Sequence, residues 1–434
     1  MSNILSDLIK SILILSFAIS QTRYKDEIFS DVVKTEDVVY GNAPDIPFNF
    51  AFEFFTEDID LTMDIYEGDG DTLTNRPVII FMHSGAFFEG SHEADDMVSL
   101  SNTSARMGYV AVSIAYRLGY NVFSSYSAER AIYRGVQDLS AAVRYLREHH
   151  LDYRIDYNNI FIWGSSAGAF SGIHLSYMEE EDRMESTFVN NWGWDPDLGC
   201  IDCSGNDFNH DRKPKAVVGC WGGIFDLDWI NEGDEIPLIM FHGVEDSIVQ
   251  FNEGYPFTKA YLLPWLYGSN LVHNRLDSLN IDSELHAAEG MPHEYWGTFS
   301  GNWLEDGPNE NFAIIKEEAY SFLYDILYPF QLEIVKDELA MPRAFALHQN
   351  YPNPFNPTTL IKYDLPEAKN VQVTIYDIMG RKVRTLVNEF QDIGYRTIQW
   401  NAADDYGRPV SAGMYIYTIQ AGDFRQIKKM VLLK

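Results

Sequence analysis

Cysteine is scarce in this chain: Cys200, Cys203 and Cys220 are the three in 434 residues. So few thiols exclude a small scaffold held together by disulfides. A lone Cys-x-x-Cys also lacks the second ligand pair that a structural zinc site needs. In an exported chain these cysteines imply one disulfide and one leftover thiol, with Cys200–Cys203 and a bridge to Cys220 both open. Positive charge is short as well, 32 Lys and Arg against 64 Asp and Glu, for a formal charge of −32. Such a surface repels phosphate backbones and anionic lipid, which argues against nucleic-acid and membrane-surface partners. Missing too is any apolar run of the roughly 20 residues needed to span a bilayer.

What the chain does have is apolar mass. Hydrophobic residues make up 46% and aromatics 14%, enough for a sizeable packed core. Its length predicts a large globular unit plus a smaller one. Charge marks the division, because residues 343–434 carry 12 basic and 8 acidic side chains. That tail is near +4 and the rest near −36, and the shift coincides with a Pro- and Asn-rich stretch. At the other end Lys10 precedes the short apolar run 11–19 (SILILSFAI), then Ala18-Ile19-Ser20 and the polar Gln21. This is the shape of a secretory signal peptide cleaved near Ser20. The expected division is a signal peptide at 1–20, a main domain at 21–330, a linker at 331–342 and a small domain at 343–434.

Within the main domain, residues 60–66 (DLTMDIY) alternate like a half-exposed strand, and 67–72 (EGDGDT) read as a hairpin loop. A calcium site there is disfavoured, since the EF-hand spacing and its closing Glu are absent. Continuous apolar runs follow at 77–82 (PVIIFM), 109–115 (YVAVSIA), 159–163 (NIFIW), 216–220 (AVVGC) and 237–241 (PLIMF). Between them lie helical patterns, clearest at 127–149, where Ala131, Val136, Leu139, Val143 and Leu146 recur at helical spacing. Buried strands alternating with helices predict an α/β domain with a mainly parallel central sheet covered on both sides. Its chemistry belongs at the carboxyl ends of the strands. The tail instead shows six short strand-like runs separated by turn signals, which predicts a small all-β immunoglobulin-like sandwich.

Gly164-Ser165-Ser166-Ala167-Gly168 directly follows the strand NIFIW and opens a helical segment rich in small residues. A nucleophile elbow requires this context, a serine on a sharp strand-to-helix turn with glycines to permit it. The central serine is Ser166. His83-Ser84-Gly85-Ala86-Phe87 follows the strand PVIIFM, where N–H groups of Gly85 and Ala86, with that of Ala167, can donate to a developing oxyanion. The acid is expected after a later strand, and Phe241-His242-Gly243-Val244-Glu245-Asp246 supplies it; Asp246 is preferred to Glu245. Asp226 is the rival acid, more simply a turn or cap residue. The base comes last in this chain order. Of the histidines after Asp246, His293 sits on a Gly/Pro loop after a strand, whereas His273, His286 and His348 lie on other elements. His83, Trp192 and Trp194 are further candidates for the substrate pocket, the two tryptophans in a long segment, 187–215, between the nucleophile and the acid.

Taken together, HSGAF, the strand ending in Ala115-Tyr116-Arg117-Leu118, RGVQDLSAAVRYLREH, YNNIFIWGSSAGA, FHGVED and MPHEYW resemble the carboxylesterases of the α/β-hydrolase superfamily. The likeness is strongest to the branch of hormone-sensitive lipases, feruloyl esterases and acetylxylan esterases. It runs through about residues 60–328 and departs at Ser84, where that family's loop usually reads His-Gly-Gly. The tail resembles the C-terminal sorting domain of bacterial type IX secretion, on LHQNYPNPFNPTTLIKYDLP, IYDIMGRKVRTLV, SAGMYIYTIQAG and KKMVLL. That likeness implies type IX secretion machinery as a partner and export to the surface or medium of a Gram-negative bacterium. From its residues alone the tail is just a small sandwich, for which a carbohydrate-binding module is the alternative.

The expectation is therefore a secreted serine esterase acting on small acyl, aryl or carbohydrate-linked esters such as feruloyl or acetyl-xylan, with no cofactor and no metal. Its rivals are a serine peptidase on the same scaffold and an inactive hydrolase-like binding or adhesion protein. Absence of a propeller domain counts against the first, and presence of every triad position against the second.

Overall fold

A computed structural model describes residues 21–46, 53, 55–189, 194–257, 263–329, 342 and 344–433. The expected signal peptide lies outside these residues, as does the expected linker apart from Pro342. The chain falls into two compact units, Met1–Leu327 and Tyr328–Lys434.

The first unit is built on eight strands: β1 (Val32–Asp45), β2 (Glu57–Gly68), β3 (Arg76–Met82), β4 (Val110–Ile114), β5 (Ile155–Ser165), β6 (Ala216–Cys220), β7 (Leu238–Gly243) and β8 (Ser283–Ala288). Their order in the sheet is β1-β2-β4-β3-β5-β6-β7-β8. The β1–β2 and β2–β4 pairs are antiparallel and all the others parallel. Every residue of β3, β4 and β6 is buried, which is why these segments are continuously apolar rather than alternating. β2 differs from the half-exposed strand expected of it. From Leu61 to Tyr66 it is buried apart from a partly exposed Thr62, because helices cover both faces there.

Those helices are α1 (Asp95–Met107), α2 (Ser125–Glu148), α3 (Ala167–Tyr177), α4 (Ser269–Ser278) and α5 (Glu310–Leu327). Successive strand residues point to opposite faces, so β3 feeds two cores. Val78, Ile80 and Met82 join Val136 and Leu139 of α2 and Ile173 of α3. Ile79 and Phe81 join Met97 and Leu100 of α1 and Ile315 and Leu323 of α5.

Register then decides where the chemistry can lie. Met82 pairs with Gly164, Ser165 with Cys220, and Cys220 with Phe241. The carboxyl ends of β3, β5, β6 and β7 are thus level, and the loops leaving them open on one edge of the sheet.

The described residues of 186–215 run along α2, held by a row of polar side chains. Arg130 donates to the Ser186 and Pro196 carbonyls, Gln137 to those of Leu198 and Cys200, Arg144 to that of Ser204, and Arg147 to that of Lys213. These bonds give a loop without regular structure the backbone partners it needs when buried. Arg130 and Arg134 also bracket the buried Glu53 carboxylate, at 2.5 and 2.8 Å. Cys200 and Cys203 form the disulfide within this segment, and Cys220 is a buried free thiol.

The second unit is all β. One antiparallel sheet has three strands, Ala346–Leu347, Thr359–Leu365 and Gly394–Trp400. The other runs Lys382–Gln391, Lys369–Asp377, Gly413–Ala421, Phe424–Leu432. Their inner faces share a core that includes Ile361, Val373, Trp400, Tyr417 and Met430. Among the described residues no helix is long and apolar enough to cross a membrane.

Candidate active site

Ser166 stands between β5 and α3 with φ +50°, in the left-handed region that L side chains rarely adopt. What permits the turn is close backbone approach. A Cβ on Gly164 would fall 2.2 Å from the Gly168 carbonyl carbon, and one on Gly168 would fall 2.0 Å from the Met82 carbonyl oxygen. The Ser166 N–H donates to the Cys220 carbonyl at the end of β6, which ties the turn to the next strand. The side chain is held at the sheet's edge, 6% exposed.

Three side chains from separate segments meet here. His293 Nε2 lies 2.9 Å from Ser166 Oγ, and His293 Nδ1 lies 2.6 Å from Asp246 Oδ2. A carboxylate only accepts, so Nδ1 carries the proton and Nε2 presents its lone pair to the serine hydroxyl. Asp246 is held in turn by the Ile248 and Val249 N–H groups, which donate to Oδ1 at 2.8 and 2.9 Å. Burial alone would raise this carboxyl. Hydrogen bonds from His242 and His293 overcome it and lower the group to about 2.

His242 had no assigned role in the sequence. It is fully buried at the end of β7, with Nε2 3.0 Å from the Val249 carbonyl and 3.3 Å from Asp246 Oδ2. Two oxygen acceptors at Nε2 fix a proton there, and Nδ1 is hydrogen-bonded to Ser269 Oγ, 2.7 Å away, whose hydroxyl also reaches the Gly222 carbonyl. The preceding strand run PLIMF reads as core, and this histidine looks like its continuation. Asp226 is elsewhere: its side chain caps the short helical turn Leu227–Trp229 by accepting from the Asp228 N–H.

The loop after β3 carries Gly85 at φ +120° and Ala86 at +55°. A Cβ at Gly85 would fall 2.0 Å from the Glu89 carbonyl oxygen, so this position admits glycine alone. Ala86 and Ala167 line the same hollow as Ser166, and Gly85 lines the adjoining cleft. The Ala167 N–H belongs to the first turn of α3, where helix N–H groups have no partner within the helix. Ser84 is fully buried and lines neither cavity.

Two cavities flank Ser166. One is a small apolar hollow of about 70 Å³ bounded by Phe87, Ile132, Phe170, Phe225 and Leu266. The other is an open cleft of about 620 Å³ that includes His293, Glu89, Glu294 and Phe299. Two of the remaining pocket candidates, His83 and Trp194, lie outside both. His83 is buried behind the loop, stacked on Tyr116 at 4.3 Å, with Nδ1–H donating to the Ser84 carbonyl. Burial pushes its pKa down to about 4, so it is a neutral prop for the loop. Trp194 is exposed and lines neither cavity, because its segment is tied along α2. Trp192 lies outside the described residues.

Glu294 is a residue that sequence reasoning passed over. It follows His293 with φ +48°, is 6% exposed, and its Oε2 accepts from the Gly301 N–H at 3.3 Å. Nearby, the fully buried Asp96 carboxyl is driven well above its usual range by burial and by the Glu294 charge. An acid directly after the base, followed by Gly297 and Gly301, was the available signal.

Among the described residues one acidic group has metal-ligand spacing, Asp37, Asp64 and His92. Asp37 and Asp64 lie on the β1–β2 pair and His92 on the loop between β3 and α1, and the Lys34 ammonium sits 2.8 Å from Asp64 Oδ2. A cation is already present there.

A mainly parallel eight-stranded sheet in this order, with a left-handed serine between a central strand and the helix after it, defines the α/β-hydrolase fold. Residues 63–222 match the BD-FAE family, and residues 349–433 match the family described as secretion system C-terminal sorting domain. The chain therefore joins an α/β-hydrolase domain of the BD-FAE family, homologous to carboxylesterases, to a C-terminal sorting domain. Gut esterase 1 of Caenorhabditis briggsae is 29% identical over 157 residues, 34% of this chain and 26% of its own length. Para-nitrobenzyl esterase of Bacillus subtilis (strain 168) is 27% identical over 165 residues, 35% of this chain and 33% of its own. The chain spans about a quarter to a third of the length of these relatives. A solved structure of Thermogutta terrifontis esterase 2 phosphoramylated by tabun has a TM-score of 0.43 at 17% identity, covering 69% of this chain and 94% of that one.

Proposed function

We propose that the protein is an exported serine esterase that hydrolyses carboxylic esters through an acyl-enzyme on Ser166. The observation that carries this is the hydrogen-bonded chain Asp246–His293–Ser166 opening onto a small apolar hollow on one side and a larger open cleft on the other. His293 Nε2 takes the hydroxyl proton as Ser166 Oγ attacks the carbonyl, then gives it to the leaving alcohol. Asp246 holds the tautomer and stabilises the imidazolium. N–H groups of Gly85, Ala86 and Ala167 receive the oxyanion, and water, activated by His293, releases the acid. The confined apolar hollow suits a short acyl chain, and the open cleft suits a larger alcohol. Feruloyl, acetyl and other carbohydrate-linked esters are the substrate classes in view.

Export follows from the sorting domain, which directs the chain through type IX secretion machinery to the surface or medium of a Gram-negative bacterium, after a signal peptide at 1–20. A panel of 4-nitrophenyl, feruloyl and acetyl-sugar esters alongside matched peptide amides tests the reaction class. Ester turnover that disappears in Ser166→Ala supports the reading. Turnover of the amides alone would replace it with a peptidase.

A further inference from the structure

After the His293 loop the chain forms a tight hairpin, Thr298–Phe299 paired with Asn302–Trp303. Its two turn residues, Ser300 and Gly301, have φ of +47° and +80°, as a two-residue hairpin of this hand requires. The root is fastened on several sides. Gly301 N–H donates to Glu294 Oε2, the Gly301 carbonyl accepts from the Asp96 N–H, and the Trp303 N–H donates to Asp95 Oδ2. Ser300 Oγ donates to Glu89 Oε1 at 2.9 Å, and the Trp303 ring packs edge-on against Phe312. So rigid a support ends in a Phe299 ring that is 71% exposed, which folding does not explain.

That ring stands at a junction. Glu89, Phe299 and Ser300 line the cleft that holds Ser166 and His293, and the same three line a second hollow of about 400 Å³ bounded by Gly90, Asn302, Trp303 and Leu304. The two hollows adjoin at these three residues, the second on the side away from the nucleophile, and each is within the range of small-molecule sites, about 300–1,000 Å³. Among the described residues no Lys or Arg lines either hollow, so nothing there would neutralise an anionic ligand, and Glu89 and Glu294 repel one. An exposed aromatic face edged by a carboxylate, a hydroxyl and a carboxamide matches a sugar ring, with its apolar C–H faces and hydroxyl rim. A long aliphatic alcohol offers no hydroxyl rim to meet those edge groups.

We propose that the hairpin Thr298–Trp303, together with Glu89, is a second leaving-group subsite that binds a neutral oligosaccharide whose ester is cleaved at Ser166. This rests on the esterase reading above. Fixed to Glu294 and Asp96, the hairpin holds the sugar in register with the His293 loop.

Calorimetric titration of Ser166→Ala with acetylated xylotriose tests the subsite without turnover. Binding that weakens about tenfold when Phe299→Ala is added supports it; no binding, or equal binding with and without the Phe299 ring, overturns it. Kinetics on the full chain supply the second arm. The ratio of kcat/KM on acetylated xylotriose to that on 4-nitrophenyl acetate should fall about tenfold in Phe299→Ala, mainly through KM. A common loss on both substrates, or a preference for a long-chain alkyl ester that the substitution removes, overturns the assignment. Wild-type protein that binds the sugar but cleaves no ester would contradict the esterase reading alone.

Discussion

Replacing Asp246 by asparagine isolates the role of one carboxylate with almost no change of shape. Its Oδ1 accepts two backbone N–H groups, while Oδ2 accepts from His293 and lies beside His242. In Asp246→Asn the amide oxygen stays with the two N–H groups, which turns the amide NH2 toward His293 Nδ1. The imidazole then presents its lone pair there and carries its proton on Nε2, against Ser166 Oγ, where it cannot act as a base. An acid-to-amide change of this kind costs about 10⁴ in kcat, roughly 5.5 kcal/mol. Stability shifts with a definite pH signature. The carboxyl is lowered from 3.8 to about 2 in the folded state, which corresponds to about 2–3 kcal/mol. Because the folded value is depressed, that stability is present above the unfolded value near 4 and is lost as pH falls through about 2. Steady-state hydrolysis of 4-nitrophenyl acetate and thermal melts across acid pH read both effects. A variant retaining more than a tenth of wild-type kcat would refute the orientation argument. So would a melting difference that grows toward pH 2 instead of shrinking.

Asp226→Asn should leave kcat/KM within about threefold, since this residue caps a short surface turn; a loss near that of Asp246→Asn would move the acid there. Gly168→Ala should lower stability by more than about 3 kcal/mol in denaturant melts, because the added Cβ meets the Met82 carbonyl at 2.0 Å; an unaltered midpoint would falsify the close-approach account. Glu53→Gln leaves the buried Arg130 and Arg134 without their counter-charge, and a loss of about 3–5 kcal/mol is expected. Burial opposes the Glu53 charge, but the two guanidiniums lower its pKa, so the difference from wild type should fade as pH drops below the usual carboxylate range.

Fold and site were legible to different depths. Strands buried on both faces announce themselves as PVIIFM, NIFIW and AVVGC, because helices on either side leave no solvent face to write in polar residues. Ser166 and Asp246 stand on loops just after such strands, and His293 on a Gly/Pro loop after the half-exposed β8; the ends of adjacent strands bring the three together. His242 escaped notice since its partners, Asp246, Val249 and Ser269, are set by tertiary contact. Trp194, in 187–215, misled for a related reason. That segment's path is fixed by Arg130, Gln137, Arg144 and Arg147, whose helical spacing on α2 resembles an ordinary polar face until their carbonyl partners are seen. The hairpin at 298–303 gave no strand signal, being two residues long on each side and held by Asp95, Asp96 and Glu294 from elsewhere in the chain.

Ser166 as the nucleophile is tested most directly by a fluorophosphonate probe on the purified, folded chain, read by intact mass and peptide mapping. One label per molecule, on Ser166 and absent from Ser166→Ala, is the predicted result. A folded wild-type protein that takes up no label, or carries it on another serine, would contradict the account.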